Sequence, residues 1–217
     1  YRDETCRLAK IHKYEEQKQV EYEILRTSIG HELNVNSPKQ IAELLYRELQ
    51  LPEQKERNAK GGITLKTDET TVDILKLNYV KDPVIINILD RIILIKKLHR
   101  ILKFLNAIIY PDGYLRTRYN ESGTTSGRST TNMCDDYFYK PTSKGIKAEK
   151  YGWAFQTLPK HGFELSDGTT IGNDLREIFV PTKGFIFCDN DQKQAEAVVV
   201  ARLANDDDLY DTIKNGD

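Results

Sequence analysis

Apolar residues recur three or four positions apart along much of the first half of the chain, the pattern of amphipathic helices. Four segments show it: residues 7–29, 38–49, 67–77 and 83–106. Ser37 is a predicted N-cap, and Pro38 suits a first helical position, where its missing N–H needs no partner. The apolar stripe of the last segment is wide, which predicts burial on more than one side. The polar stretch 53–67 predicts a mobile loop.

The second half of the chain has shorter and more varied patterns. Aromatic or apolar residues alternate with basic ones over residues 114–120, which predicts a strand. Short apolar runs at 175–180 and 185–188 predict two further strands, separated by a turn. The small-residue run 195–203 predicts a helix, and residues 133–154, rich in lysines and aromatics, predict a long loop.

This order of elements predicts an α+β fold in two parts. The first, residues 1–110, is helical, and the second, residues 111–217, carries a small antiparallel sheet. No apolar run approaches the length needed to cross a bilayer, so we expect no membrane partner. Because the chain has no initiator Met or apolar leader and stops just after a helical pattern, we expect it to be trimmed from a longer protein.

The three cysteines, Cys6, Cys134 and Cys188, follow no metal-binding spacing, and they are interpreted as buried or free thiols in a reducing compartment. Charge is distributed unevenly. Residues 91–160 carry 13 Lys and Arg against 5 Asp and Glu, whereas residues 161–217 carry 5 against 12. This asymmetry fits a phosphate-tracking stretch followed by a cation-binding one; the alternative is chance clustering.

An acidic corner follows the apolar run 184–188, where Asp189 and Asp191 stand directly before the predicted helix. Carboxylates at such a position can hold Mg²⁺, which prefers one or two carboxylates together with substrate phosphates. The two aspartates share a strand face, so spacing alone does not choose between them. The alternative is that both are ordinary turn and N-cap residues.

Several segments, in order along the chain, resemble motifs of family A DNA polymerases, the class of bacterial DNA polymerase I and many phage replicases. The residues 191–196, Asp-Gln-Lys-Gln-Ala-Glu, are similar to motif A in its phage-like form. Upstream, similar blocks are residues 30–40, the long helix opened by Asp82-Pro83, Ser126-Gly127-Arg128-Ser129-Thr130, Phe155-Gln156-Thr157-Leu158-Pro159 and residues 175–181. Gln192-Lys193 in place of the usual Tyr-Ser and Val198 in place of a common arginine depart from the family pattern.

The resemblance implies an incomplete right-hand polymerase. Residues 1–110 would form the helical thumb, and residues 111–217 the N-terminal part of the palm, ending after motif A, with residues 133–154 as an inserted loop. The fingers and the second catalytic aspartate of the family have no counterpart in this sequence. We therefore expect a C-terminal polymerase portion as a partner.

Motif A also implies roles for individual residues. Asp191 would be the catalytic residue and would bridge two Mg²⁺ ions, with the backbone carbonyl of Gln192 as a second ligand. Glu196 would exclude the 2′-hydroxyl of a ribonucleotide, with Gln194 beside it in the nucleotide site. In this register Asp189 is not a ligand.

The other motifs imply contacts with primer–template DNA. Arg128 would enter the minor groove at the primer end, where every base pair offers an acceptor at a similar place. The other expected DNA contacts are Ser129, Thr130, Asn132, Gln156, Thr157 and the basic ridge of Lys96, Lys97, Arg100 and Lys103. The alternatives are a loop salt bridge for Arg128 and a solvated helix face for the ridge.

The function implied is DNA-templated DNA polymerisation from a dNTP onto a primer 3′ end, in the cytoplasm of a bacterial cell. As a lone chain it should be inactive, since part of the site is absent. The alternatives are a non-catalytic module that binds duplex DNA and one subunit of a split polymerase. Residues 133–154 could clamp DNA, bind a partner or form an ordinary mobile loop.

Overall fold

In a computed structural model, the chain forms two compact units, Tyr1–Val180 and Pro181–Asp217. The structure describes residues 1–57, 61–121, 123–125, 128–143, 145–158, 162–165, 168–188 and 194–215. The boundary predicted at residue 110 lies inside the first unit and stays a prediction. Helices and small antiparallel hairpins together confirm the predicted α+β class.

Among the described residues of the first unit, four segments are α-helices, and all four were predicted. They are α1 (Glu4–Ile29), α2 (Pro38–Glu43), α3 (Glu69–Tyr79) and α4 (Pro83–Leu105), with a π-helical turn at Leu44–Glu48 directly after α2. Each helix has an N-cap whose side-chain oxygen accepts a hydrogen bond from an N–H of the first turn. These N-caps are Asp3, Ser37, Asp68 and Asp82. These caps satisfy N–H groups that have no partner inside the helix.

The described strands pair as four antiparallel two-stranded hairpins. They are β1 (Lys55–Arg57) with β2 (Ile63–Leu65), β3 (Arg118–Asn120) with β4 (Thr130–Asn132), β5 (Tyr137–Thr142) with β6 (Gly145–Lys150), and β7 (Phe163–Glu164) with β8 (Thr170–Ile171). Short 3₁₀ helices at Phe155–Thr157 and Leu175–Ile178 complete the unit.

Several predicted local structures were wrong. Residues 53–67 and 133–154 contain hairpins, where loops were predicted, and only the end of 114–120 is a strand. In place of the predicted strand at 175–180, Leu175–Ile178 form a 3₁₀ helix, because Leu175 and Ile178 are three positions apart and both are buried on one side of the turn. Residues 185–188 form no strand, since none of the described strands offers them a hydrogen-bonding neighbour.

Two hydrophobic cores lie along α1 and α4. The first packs the C-terminal part of α1, α2 and α3 against the N-terminal half of α4, with Leu45, Leu75 and Leu89 fully buried. The second packs the N-terminal half of α1 and the C-terminal half of α4 against residues 153–179. Because α4 contributes to both cores, it is buried on several sides, as its wide apolar stripe predicts.

Asp174 ties the second core to α1. Its carboxylate accepts hydrogen bonds from Tyr14 Oη and Lys13 Nζ, and Lys10 Nζ lies 3.1 Å away. Burial alone would raise the pKa of Asp174, but these hydrogen bonds and the lysine charges outweigh it and lower the pKa to about 2. The charged form of Asp174 is therefore part of the folded state.

The second unit carries two helices, α5 (Ala195–Ala204) and α6 (Asp207–Asn215). Asn205 takes a left-handed conformation at the end of α5, which suits an Asn C-cap. Arg202 on α5 lies over the ring of Tyr210 on α6. None of the described helices in either unit has the length and apolar character of a membrane span.

Candidate nucleic-acid interface

The predicted basic ridge lies on the C-terminal half of α4, beside a cleft of about 800 Å³. Lys96, Arg100 and Lys103 line this cleft, because spacings of four and three residues place them on one face of the helix. The cleft's opposite walls come from α2, from the segment before it and from β2 and the residues after it. Lys97 is not among the lining residues, so the structure brings three of the four ridge residues together at this cleft.

Several ridge side chains have partners within the protein. Lys96 Nζ donates to the carbonyl of Thr67 at 2.8 Å, and burial lowers the pKa of this lysine. Glu69 lies 3.3 Å from Lys97 Nζ and 3.1 Å from Arg100 Nη2. The charge that the ridge offers to a phosphate is thus smaller than its four basic residues imply.

Lys97 and Arg100 also reach toward the short hairpin β7–β8. Lys97 Nζ donates to the carbonyl of Glu164 at 2.6 Å, and the guanidinium of Arg100 lies 5.2 Å from the ring centre of Phe163. Lys103 is exposed at the last turn of α4. Among the ridge residues, Lys103 is therefore the one best placed for a ligand phosphate.

The second predicted group lies on β4 and the loop before it. Ser126 and Gly127 fall outside the described residues, whereas Arg128 and Ser129 are described and exposed. Thr124 Oγ1 donates to the carbonyl of Arg128 and accepts from its N–H, both at 3.0 Å. These two bonds fix the backbone next to Arg128.

Gln156 joins the 3₁₀ helix at Phe155–Thr157 to β4. Its side-chain oxygen accepts from Thr131 N at 2.9 Å, its Nε2 donates to Ser129 O at 3.0 Å, and its backbone N donates to Thr131 Oγ1 at 2.9 Å. These bonds hold the 3₁₀ helix and β4, which are about 25 positions apart in the sequence, next to each other on one surface. These bonds give Gln156 a positioning role, and its predicted DNA contact stays a prediction.

Asn132 and Thr157 come together at a second cleft, of about 460 Å³. Arg118 and Lys150 line the same cleft, although the motif comparison pointed to neither. Strand pairing would have pointed to Lys150. This lysine ends β6 and pairs with Tyr137 at the start of β5, so it lies at the base of the hairpin. Thr130, the remaining predicted contact on β4, is partly buried.

The acidic corner falls outside the described residues, which include neither Asp191 nor Gln192. Gln194 is described in a left-handed conformation directly before α5, and Glu196 lies exposed in its first turn. A carboxylate in a first turn is favoured by the helix dipole. The part of the chain that the structure describes contains no cluster of His, Cys, Asp and Glu able to hold a metal ion.

Comparison with known proteins gives one matching family model. The model for "DNA polymerase family A" matches residues 4–135. The match therefore ends two residues before β5 begins.

Relatives with a described activity are similar over most of this chain. DNA polymerase I of Lactococcus lactis is 30% identical over 187 residues, which cover 86% of this chain and 18% of the relative. The thermostable DNA polymerase I of Thermus thermophilus is 26% identical over 204 residues, which cover 93% of this chain and 20% of the relative. This chain thus spans about a fifth of the length of these relatives.

A solved structure has the same fold. The polymerase domain of Pol1 from M. smegmatis, in complex with a DNA primer-template and dNTP, superposes with a TM-score of 0.65 at 19% sequence identity. The match covers all of this chain and 33% of that domain's chain.

Proposed function

Because this chain belongs to family A of the DNA polymerases, we propose that it is the part of a DNA-templated DNA polymerase that binds primer–template duplex and carries one catalytic carboxylate. The observation that carries the proposal is the set of hydrogen bonds by which Gln156 holds β4, here called the Gln156 clamp. Gln156, in one of the two blocks for which the family resemblance implies DNA contacts, donates one hydrogen bond to Ser129 in the other block and forms two with the adjacent Thr131. The dNTP and a C-terminal polymerase portion are the other partners we propose.

In this proposal the duplex contacts combine positioning and shape recognition. Arg128 enters the minor groove at the primer end, next to a backbone that Thr124 holds in place. Ser129, Thr130, Asn132 and Thr157 are the hydroxyl and amide groups beside it, and they suit sugar and phosphate contacts. Lys103, with the remaining charge of the α4 cleft, adds sequence-independent attraction to phosphates.

Family A DNA polymerases generally use Mg²⁺. In this chain Asp191 and the backbone carbonyl of Gln192 would hold it, and both are hard oxygen donors of the kind Mg²⁺ prefers. When bound, Mg²⁺ would supply electrostatic stabilisation of the charge that develops at the α-phosphate during nucleotidyl transfer.

Glu196 and Gln194 form the proposed nucleotide-side group. Both lie at the start of α5, so a short, rigid element carries them a few residues from Asp191. Glu196 would occupy the space that a ribose 2′-hydroxyl needs, which selects a deoxynucleotide by shape. We place this activity in the cytoplasm of a bacterial host cell, since the relatives named above are bacterial.

The test compares the two aspartates of the acidic corner in the complete polymerase, with the fingers and the rest of the palm present. Asp191→Ala should lower the primer-extension rate by a factor on the order of 10³, because a shared metal ligand supports several kcal/mol of transition-state stabilisation. The matched control, Asp189→Ala, should stay within a few-fold of wild type. An Asp191→Ala enzyme that extends primers at a near wild-type rate would refute the proposed site.

A further inference from the structure

The hairpin of β5 and β6, residues 137–150, is a feature that the proposed function does not use. Here it is called the aromatic hairpin; position 144, at its tip, lies outside the described residues. Its register pairs Tyr137 with Lys150, Tyr139 with Ala148 and Pro141 with Ile146. Because side chains alternate along a strand, these six residues share one face.

This shared face is exposed and rich in aromatic surface. Tyr137 is 48% exposed, Tyr139 65% and Ile146 77%. The two tyrosine rings lie 6.5 Å apart in a row along β5, and Lys150 Nζ lies 5.6 Å from the ring centre of Tyr137. A row of exposed rings next to a cation has the composition of a base-stacking platform.

The other face of the aromatic hairpin presents basic groups. Lys140 lies directly opposite Lys147, and like charges at paired strand positions repel each other. Lys147 has a salt bridge to Glu149 at 2.7 Å, so its charge is partly balanced. With four lysines and one glutamate in residues 137–150, the hairpin still has a net positive charge. An anionic ligand would relieve the repulsion between the paired lysines.

The base of the hairpin is firmly attached to the rest of the first unit. Tyr151 stacks on Tyr110 at 4.6 Å between ring centres, and Gly152 N donates to the carbonyl of Ile108 at 2.8 Å. Gly152 has a φ of +82°, and a Cβ at this position would lie 2.2 Å from the carbonyl oxygen of Arg116. Only glycine fits there without displacement. This attachment argues against the interpretation of residues 133–154 as an ordinary mobile loop.

The hairpin also adjoins the interface described above. Lys150, at its base, lines the same cleft as Asn132 and Thr157. The hairpin stands in the sequence between the β4 block and the Gln156 block. It is thus placed next to the proposed duplex contacts.

We propose that the aromatic hairpin binds single-stranded DNA adjoining the primer–template duplex. Tyr137 and Tyr139 stack on unpaired bases, and Lys140 and Lys147, on the opposite face, attract phosphates of the strand where it passes the edge of the hairpin. Exposed aromatic rings favour unpaired bases, since a base inside a duplex offers no free face. The lysines favour a polyanion over an apolar protein surface. The inference rests on the proposed function, because binding of the duplex is what brings its single-stranded end to the hairpin.

The test measures binding of the full 217-residue chain to labelled DNA by fluorescence anisotropy. The two probes are a blunt duplex and the same duplex with an oligothymidine 5′ overhang. Wild type should bind the overhang probe about tenfold or more tightly than the blunt one, and Tyr137→Ala with Tyr139→Ala should remove this gain while leaving blunt-duplex affinity unchanged. The control is Tyr79→Ala, an exposed tyrosine at the end of α3, which should change neither affinity.

The salt dependence of DNA affinity tests the role of the lysines independently. Lys140→Ala with Lys147→Ala should reduce the dependence of log affinity on log salt by about 2 for the overhang probe, roughly one unit per phosphate contact. Equal affinity of wild type for both probes, or overhang binding that both double variants leave unchanged, would overturn the inference. The latter result would favour a protein partner for this face. Failure to bind the blunt duplex, with a tyrosine-dependent gain from the overhang, would instead contradict only the proposed duplex contact.

Discussion

The helical body formed by α1–α4 and the aromatic hairpin are both rich in basic residues, but they use their charges differently. In the body, Lys10 and Lys13 pair with Asp174, and Lys97 and Arg100 pair with Glu69. In the hairpin, two lysines face each other across the strands. Lys147 also pairs with Glu149, in a salt bridge that is open to solvent. The comparison shows that the number of basic residues in a segment does not give the charge available to a ligand, because internal partners balance part of it.

Burial explains the difference. Ten of the 23 residues of α4 are buried, so its basic side chains emerge between packed elements and meet carbonyls and carboxylates there. The 12 strand residues of the hairpin include none that is buried. Side chains on such an element point into solvent, where a ligand can reach them.

The largest change in the free energy of unfolding should come from a substitution in the packed body, compared with one in the exposed hairpin. Leu89→Ala, at a fully buried position of α4, should lower the free energy of unfolding by about 3 kcal/mol, through lost apolar contact and a residual cavity. Ile146→Ala, in the hairpin and 77% exposed, should change it by less than about 0.5 kcal/mol. Urea denaturation measures both. Equal losses would mean that the hairpin packs against something in solution.

A second effect concerns the charges inside the body. Asp174→Asn should lower the free energy of unfolding at neutral pH by about 2 kcal/mol, because the folded state lowers the pKa of this carboxyl from 3.8 to about 2. A carboxyl with a lowered folded-state pKa stabilises the protein above its unfolded-state pKa. Wild type should therefore lose this contribution as pH falls from about 4 to about 2, and the variant should not.

Asp135→Asn is the matched control for that measurement. Asp135 pairs with Arg118 and with Lys150 at the base of the hairpin, but its side chain is 64% exposed. Solvent-exposed ion pairs contribute little, so the loss should be below about 1 kcal/mol. A pH profile of Asp174→Asn that parallels wild type between about pH 4 and 2 would show that Asp174 is not the responsible carboxyl.

The smallest effect should come from removing the carboxylate that balances basic side chains beside the α4 cleft. Glu69→Gln removes the carboxylate that Lys97 and Arg100 share, and should cost less than about 1 kcal/mol of stability. If the cleft binds DNA, the freed cations should raise blunt-duplex affinity a few-fold and steepen its salt dependence by about 1. Glu43→Gln, an exposed carboxylate on α2, controls for the change in net charge. An equal gain in blunt-duplex affinity for both variants would show that the ridge is not part of the DNA interface.

The errors of the sequence interpretation have physical causes. The hairpin at 137–150 was taken for a loop because of its lysines and aromatic residues, although residues 146–149 alternate apolar and charged positions. Neither face of the hairpin is buried, so no apolar run marked its strands. Leu175 and Ile178 were assigned to a strand, although their spacing of three also fits a helical turn, and the packing of both side chains into the second core decides for the turn.

The sequence by itself determined the four helices of the body, the Ser37 cap and the family, because periodicity, capping and ordered motifs are local properties of the chain. The register that predicts Asp191 rather than Asp189 as the metal ligand rests on the resemblance of the sequence to motif A, and it stays a prediction. Only the tertiary structure decided that Gln156 clamps β4, that Glu69 partly neutralises the ridge and that Lys150 joins Asn132 and Thr157 at one cleft. These contacts join residues far apart in the chain, and only packing brings them together.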